Sequence, residues 1–184
     1  MRAQGFTLIE LMVVLAVSII LLTVAIPTFS TVIEQHAVRD ARDRLVRSIR
    51  FTRLSAVDQG EPVSICAAAD GTCSGNGRWE AGWMVFADPN GDGDCEDANG
   101  DGICDGDSGL ILRRSAMFRG FHGTMRGNYF VRDHIRFDPR GFSYLSNGTI
   151  SVCPDNDALS PIGLILSNPG RVRVTADTAL LSCP

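Results

Sequence analysis

The sequence predicts an α+β fold in which one long N-terminal helix packs on an antiparallel β-sheet head domain. Residues 6–58 contain an apolar run followed by apolar positions at helical spacing. Residues 59–184 contain short apolar runs separated by glycine and proline, which is typical of antiparallel hairpins. A helix followed by a series of strands indicates an α+β domain, in which the second half of the helix buries its apolar face on the sheet.

An apolar run opens the chain. From Phe6 to Ile26 there are 21 residues and one charge, that of Glu10. At a rise of about 1.5 Å per residue, this run spans roughly 30 Å of bilayer hydrocarbon, and we predict a transmembrane segment over residues 6–29. A secretory signal peptide is the competing interpretation, but its apolar run is shorter and ends in a small-residue cleavage site. A plain anchor would explain the length and leave the intramembrane acid Glu10 unexplained.

The second half of the helix is amphipathic. Apolar or small side chains recur at spacings of three and four residues, at Val38, Ala41, Leu45, Ile49, Thr52 and Ala56. Asp40 precedes Arg44 by four residues and Asp43 precedes Arg47 by four, the favourable order for ion pairs on a helix. The six arginines between residues 39 and 53 could bind DNA or lipid head groups, but such residues are more often a solvated helix face, which is the explanation we favour. The helix is predicted to end near Asp58, just before Gly60.

The head domain contains seven short strand-like runs. Several alternate apolar with polar side chains, as a half-buried strand does. The predicted runs are residues 62–67, 81–87, 109–113, 134–138, 149–153, 162–167 and 171–175. Trp79, Trp83 and Phe86 are predicted to belong to the core. No nucleophile or phosphate-cradling loop accompanies the three histidines, so the sequence predicts a protein that is not an enzyme.

The net charge of −4 is unevenly distributed. Residues 88–107 hold eight acidic residues and no basic one, so the rest of the chain carries 13 acids against 17 arginines. The sequence therefore predicts a mildly basic body with one strongly acidic loop.

Six cysteines indicate disulfides and an oxidising compartment, because the count is even and follows an apolar segment. No Cys-x-x-Cys pair or histidine spacing indicates zinc. Proximity along the chain favours Cys66–Cys73, Cys95–Cys104 and Cys153–Cys183, out of 15 connectivities that six cysteines allow.

The N-terminal octapeptide resembles the signature of type IV prepilins and type II secretion pseudopilins. Residues 5–12 read Gly-Phe-Thr-Leu-Ile-Glu-Leu-Met after a short leader, residues 1–5, that carries Arg2. The resemblance implies that prepilin peptidase cuts between Gly5 and Phe6, that Phe6 is N-methylated, and that the helix assembles into a filament. Glu10 would then neutralise the new terminal amine of a neighbouring subunit, because such a pair is strong in low dielectric.

The head domain resembles the GspH/FimT family of minor pilins and pseudopilins. The matching block comprises Trp79, Gly82, Trp83, Val85, Phe86 and Asp88, with Leu112-Arg113 and Gly170-Arg171-Val172-Arg173 further on. Leu54 and Ser55 depart from the family pattern, as does the enlarged acidic insertion. The resemblance implies a filament subunit that contacts other pilin subunits, either a minor pilin of a type IV pilus or a pseudopilin of the type II secretion system.

The implied location is the inner membrane, with a single pass, a periplasmic head domain and a place near the filament tip after assembly. Arg39, Arg42, Arg44 and Arg47 follow the apolar run closely, and by charge alone this would favour a cytoplasmic C-terminus. The cysteines and the prepilin signature require the opposite orientation, which we prefer.

The acidic loop contains a near-repeat that suits calcium. Asp88, Asn90 and Asp92 precede a glycine, and Asp97, Asn99 and Asp101 repeat the arrangement. Alternating oxygens before a sharp glycine turn suit a hard cation, although the bidentate glutamate of a full EF-hand loop is missing. The alternative is a solvated acidic loop held by Cys95 and Cys104.

Arg171 and Arg173 form a candidate DNA site. Two residues apart, they lie on one face of a strand. The resemblance to FimT suggests that they contact DNA phosphates during DNA uptake, while the alternative is two exposed strand arginines with no ligand.

Overall fold

The computed structural model describes residues 7–69, 71–73, 75–105, 109–116, 120–143 and 145–183, with only the backbone for residues 24–29. Helix α1 runs from Leu8 to Gln59 and has 52 residues. It ends at Gly60, whose φ of 69° lies in the left-handed region that favours glycine. The predicted helix end is therefore confirmed. We predicted a membrane span over residues 6–29; among the described residues, no helix is both long and apolar enough to cross a membrane.

The strands form two antiparallel sheets. In chain order they are β1 (Val63–Ala69), β2 (Thr72–Cys73), β3 (Gly82–Ala87), β4 (Ile111–Ala116), β5 (Gly123–Gly127), β6 (His134–Phe137), β7 (Gly148–Pro154), β8 (Ile162–Leu166) and β9 (Val172–Thr175). The first sheet has the order β2-β1-β3-β4, and β6 also pairs with β1. The second has the order β5-β7-β8-β9. The α+β class is confirmed, but the head contains two sheets where the sequence suggested one.

All seven predicted runs are strands, and two strands were missed. β2 is only two residues long and pairs with the end of β1. β5 begins and ends with glycine, and of its side chains only Met125 is buried. Neither segment has the alternating apolar pattern from which the other strands were recognised.

The main core lies between α1 and both sheets. The predicted helix face is buried throughout, from Val38 to Ala56. It packs with side chains of the first sheet, such as Ile65 and Val85, and of the second, such as Ile150 and Leu164. Trp79 is fully buried, and its indole N–H donates to the carbonyls of Val131 and Arg132 at 3.2 and 2.9 Å.

A smaller core lies on the other side of the first sheet, beneath the acidic loop. Cys66, Ala68, Met84 and Phe86 point to this side, and the Cys95–Cys104 disulfide packs on them. Ser64 faces the same loop, where its Oγ donates to Asp88 Oδ2. The acidic segment therefore packs an apolar underside on the first sheet and is held by the Cys95–Cys104 disulfide, while side chains such as Asp92 and Asp101 remain exposed.

Candidate functional site

The start of α1 forms a capping box between Thr7 and Glu10. The Thr7 amide and Oγ1 each donate to Glu10 Oε2 at 3.0 Å, and the Glu10 amide donates to Thr7 Oγ1 at 3.4 Å. This arrangement satisfies backbone N–H groups that a helix start leaves free. The Thr-x-x-Glu spacing predicts this cap, which is a local role for Glu10 beside the intersubunit role expected from the sequence. Gly5 and Phe6, the residues of the predicted cleavage site, lie outside the described residues.

The first turns of α1 expose their apolar side chains. Leu8, Ile20 and Leu22 are 78%, 65% and 56% exposed, and the other apolar residues between positions 8 and 22 with large side chains are also exposed. No other described part of the chain covers them. A surface of this extent is typical of a segment that meets lipid or other chains.

Two matching turns form the acidic loop. Asp88 accepts hydrogen bonds from the amides of Gly91 and Gly93 at 2.9 and 3.2 Å. Asp97 accepts from Gly100 and Gly102 at 2.7 and 3.2 Å. Both aspartates are buried, at 0% and 5% exposure. The sequence repeat is therefore also a structural repeat.

The other side chains of the repeat, one asparagine and one aspartate in each turn, form a hydrogen bond within their own turn. Asn90 donates to Asp92 at 2.8 Å, and Asn99 donates to Asp101 at 3.0 Å. These four side chains remain exposed.

An arginine braces each acidic turn from a neighbouring strand. Arg114 of β4 forms an ion pair with Asp97, and Arg136 of β6 donates to the carbonyl of Gly91 at 2.7 Å. Within the described ranges, no group of three or more His, Cys, Asp or Glu side chains could hold a metal ion. Calcium binding by the two triplets stays a prediction.

The three disulfides join the pairs that chain proximity favoured. Cys66–Cys73 links β1 to β2, Cys95–Cys104 links the two acidic turns, and Cys153–Cys183 fastens the C-terminal segment to β7. The corresponding Cα–Cα distances are 5.6, 5.0 and 5.8 Å. The amide of Ser182 also donates to Ser151 Oγ at 3.0 Å, which holds the same segment.

Arg171 and Arg173 are both exposed at β9, the edge strand of the second sheet. Arg173 lies opposite Ile165 of β8. Arg171 borders a cavity of about 410 Å³, whose other lining residues include Arg50 and Arg53 of α1. The structure therefore brings Arg171 of the predicted pair next to Arg50 and Arg53 of the helix, while Arg173 is not among the residues that line this cavity.

Glu80 lies just before β3 of the first sheet and contacts β5 of the second sheet, so it links the two sheets. Its carboxylate forms an ion pair with Arg126 of β5 and accepts from the Met125 amide at 3.1 Å. Burial raises the pKa of the Glu80 carboxyl, but the hydrogen bonds from Arg126 and from the amides of Glu80 and Met125 outweigh this effect. The pKa of Glu80 is therefore lowered below 4.5.

Comparison with known proteins agrees with this architecture. The chain matches the family described as Type II transport protein GspH over residues 41–178, and the prokaryotic N-terminal methylation motif over residues 1–26. No curated protein matches the chain.

Two crystal structures of the type IV minor pilin FimU from Pseudomonas aeruginosa share the fold, with TM-scores of 0.57 and 0.53 and 20% identity in each case. The similarity covers 77% and 74% of this chain, and 90% and 91% of those chains. The family match spans most of the chain, including α1 after residue 40 and all nine strands. The chain therefore belongs to the GspH family of type IV pilin-like proteins.

Proposed function

We propose that this protein is a minor pilin of a type IV pilus, a structural subunit without enzymatic activity that assembles with other pilin subunits. Before assembly it is held in the inner membrane by the apolar part of α1, with its head domain in the periplasm. Prepilin peptidase removes residues 1–5, Phe6 is methylated, and the subunit then takes a place near the filament tip. The observation that supports this proposal best is the exposed apolar start of α1, joined to a head domain with the FimU fold.

Glu10 has a specific role in this proposal. In the single chain its carboxylate caps α1 through Thr7. After cleavage, the cationic amine of a neighbouring subunit offers a stronger partner, because in low dielectric a pair of opposite charges outweighs a hydrogen bond from a neutral donor to the carboxylate. Glu10 would exchange the cap for that amine as the subunit enters the filament, and so set the axial position of the subunit.

DNA uptake is a further part of the proposal. Arg171 and Arg173 are exposed and make no ion pair with any described residue. They are therefore available to phosphates, whose contacts supply most of the sequence-independent affinity for DNA.

The second candidate function is that of a type II secretion pseudopilin. The description of the matching family as a type II transport protein favours it. The same anchor, processing and helix assembly would then serve a secretion filament, and the arginines of β9 would have no nucleic-acid ligand.

Deletion of the gene in its own host separates the two functions. We expect loss of surface pili, seen by electron microscopy, with type II substrates still present in the culture supernatant. Loss of secretion with normal pili would establish the pseudopilin function instead. Complementation with Glu10→Ala is expected to restore the processed protein in the membrane without restoring pili, whereas full restoration would show that Glu10 is dispensable for assembly.

A further inference from the structure

The six arginines on the second half of α1 fall into two groups. Arg42 pairs with Asp43 at 2.8 Å, while Arg44 and Arg47 pair with Asp40 at 3.3 and 3.8 Å. The predicted pair Asp43–Arg47 does not form. The other three, Arg39, Arg50 and Arg53, have no carboxylate partner among the described residues.

Two of the unpaired arginines meet the Gly170–Arg173 motif in one cleft. The cleft has a volume of about 410 Å³ and is lined by Arg50, Arg53, Leu54, Gly170, Arg171 and Val172. Three arginines thus line a single cleft, and none of its described lining residues is acidic. Asp138 is three residues before Gly141, the hydrogen-bond partner of Arg53. Its carboxylate forms an ion pair with Arg140 at 2.8 Å.

Arg53 is held in place by two glycines. Its Nε donates to the carbonyl of Gly141 at 2.9 Å. Gly170 has a φ of 74°, and a Cβ there would strike the Gly141 oxygen and lie 2.9 Å from Arg53 Nε. The glycine of the motif is therefore required for close packing, and this packing fixes the position of Arg53 beside Arg171. A cationic group that is fixed before binding loses less entropy when an anion arrives.

We propose that this cleft between α1 and β9, here called the basic cleft, is the phosphate-binding site for nucleic acid. The proposal rests on the proposed role in DNA uptake and extends it from the Arg171/Arg173 pair to the helix. Arg50 and Arg53 lie three residues apart on one helix face and contact the phosphate chain from one side, while Arg171 and Arg173 contact it from the strand. Positive charges that lie close together without acidic partners repel one another, and a bound anion relieves this repulsion. Phosphate is a suitable anion because the planar guanidinium group can donate two hydrogen bonds to it.

The test compares charge-matched variants of the processed full chain in neutral detergent. Fluorescence anisotropy measures affinity for a labelled DNA duplex between 50 and 200 mM salt. With four phosphate contacts, affinity should fall about 150-fold across this range, since each contact contributes about −0.9 to the slope of log affinity against log salt. Arg50→Gln should reduce the fall to about 40-fold. Arg50→Lys, which retains the charge, should restore most of the slope.

Arg44→Gln is the matched control, because it removes the same charge from the same helix. Arg44 is paired with Asp40 and is separated from Arg50 by about 120° around the helix axis. The control should keep the unaltered slope. An equal effect of Arg44→Gln and Arg50→Gln would show general electrostatics and overturn the basic cleft.

Two further outcomes separate the cleft from the wider function. If Arg171→Gln with Arg173→Gln flattens the slope while Arg50→Gln does not, the cleft proposal fails and DNA binding by the pair stands. If the unaltered chain binds no duplex at 50 mM salt, both fail. Binding of a polyglutamate peptide by that chain would then assign the cleft to an acidic protein segment.

Discussion

Ser64 Oγ donates a hydrogen bond to Asp88 Oδ2 at 2.6 Å, and neither residue has any exposed surface. The bond joins β1 to the first acidic turn, which follows β3. The Asp88 carboxylate also accepts hydrogen bonds from the amides of Gly91 and Gly93. One carboxylate therefore accepts from two buried donors and one partly buried donor, and it holds the acidic loop against the first sheet.

Replacing Asp88 by alanine should destabilise the head domain by about 3 kcal/mol, because buried donors lose their acceptor and such losses cost about 1–3 kcal/mol each. Thermal or urea unfolding of the oxidised protein measures the change. Asp92→Ala is the control, since Asp92 lies in the same turn but is exposed. We expect it to cost less than about 1 kcal/mol. Equal losses for the two variants would contradict the structural role of Asp88.

Stability should fall in acid because of Glu80. A pKa that is lower in the folded than in the unfolded state stabilises the fold above the unfolded value, and this stabilisation is lost as pH falls through the folded value. The relevant window therefore begins near pH 4.5 and extends below it. Glu80→Gln should reduce the slope of stability against pH in this window, measured by urea unfolding at several pH values. Glu61→Gln, which removes a carboxylate without an ion pair to any described residue, should leave the slope unchanged.

Calcium should raise the melting temperature if the acidic triplets bind it. A site at 100 times its dissociation constant adds about 2.7 kcal/mol. Differential scanning calorimetry in millimolar calcium measures the shift, with magnesium as the comparison cation. The double variant Asp92→Ala with Asp101→Ala keeps the buried Asp88 and Asp97 and should lose the response. An unchanged melting curve, with no heat of binding, would contradict calcium binding and favour an acidic loop held by its disulfide and hydrogen bonds alone.

The mature protein should begin at Phe6 with a methylated amine when it is produced beside a prepilin peptidase. The Gly5–Phe6 bond precedes the Thr7 cap, so cleavage leaves the capping box of α1 intact. Intact-mass spectrometry should show the loss of five residues and the gain of one methyl group. A product that retains Met1, or one cut after Ile26, would contradict the filament-subunit function.

Local sequence predicted most of the elements. The spacing of Val38, Ala41 and Leu45 identified the buried helix face, because a helix repeats every 3.6 residues. Gly60 identified the helix end. Seven runs of apolar residues between turns identified seven strands, and the nearest cysteines along the chain are those that pair. Each of these features depends on residues that are close in sequence.

Long-range contacts decided the remainder. β5 and the division into two sheets depend on pairings such as Arg126 with Glu80, 46 residues apart. The burial of Asp97 depends on Arg114, and the position of Arg53 depends on Gly141, 88 residues away. The spacing of apolar residues along the chain does not identify such partners, because the free energy of a charged side chain depends on what surrounds it in space.

The sequence by itself determined the class of this protein: a member of the GspH family with a disulfide-bonded α+β head. Its membrane anchoring and its processing remain predictions from the same sequence. Only the tertiary structure decided which charged residues have structural roles and which are available to a ligand. Arg44 and Arg50 look alike in sequence, yet Arg44 is neutralised by Asp40 and Arg50 lies in the basic cleft. The difference arises because α1 packs beside β9, which brings Arg171 and Arg50 to one cleft whose described lining residues include no acid.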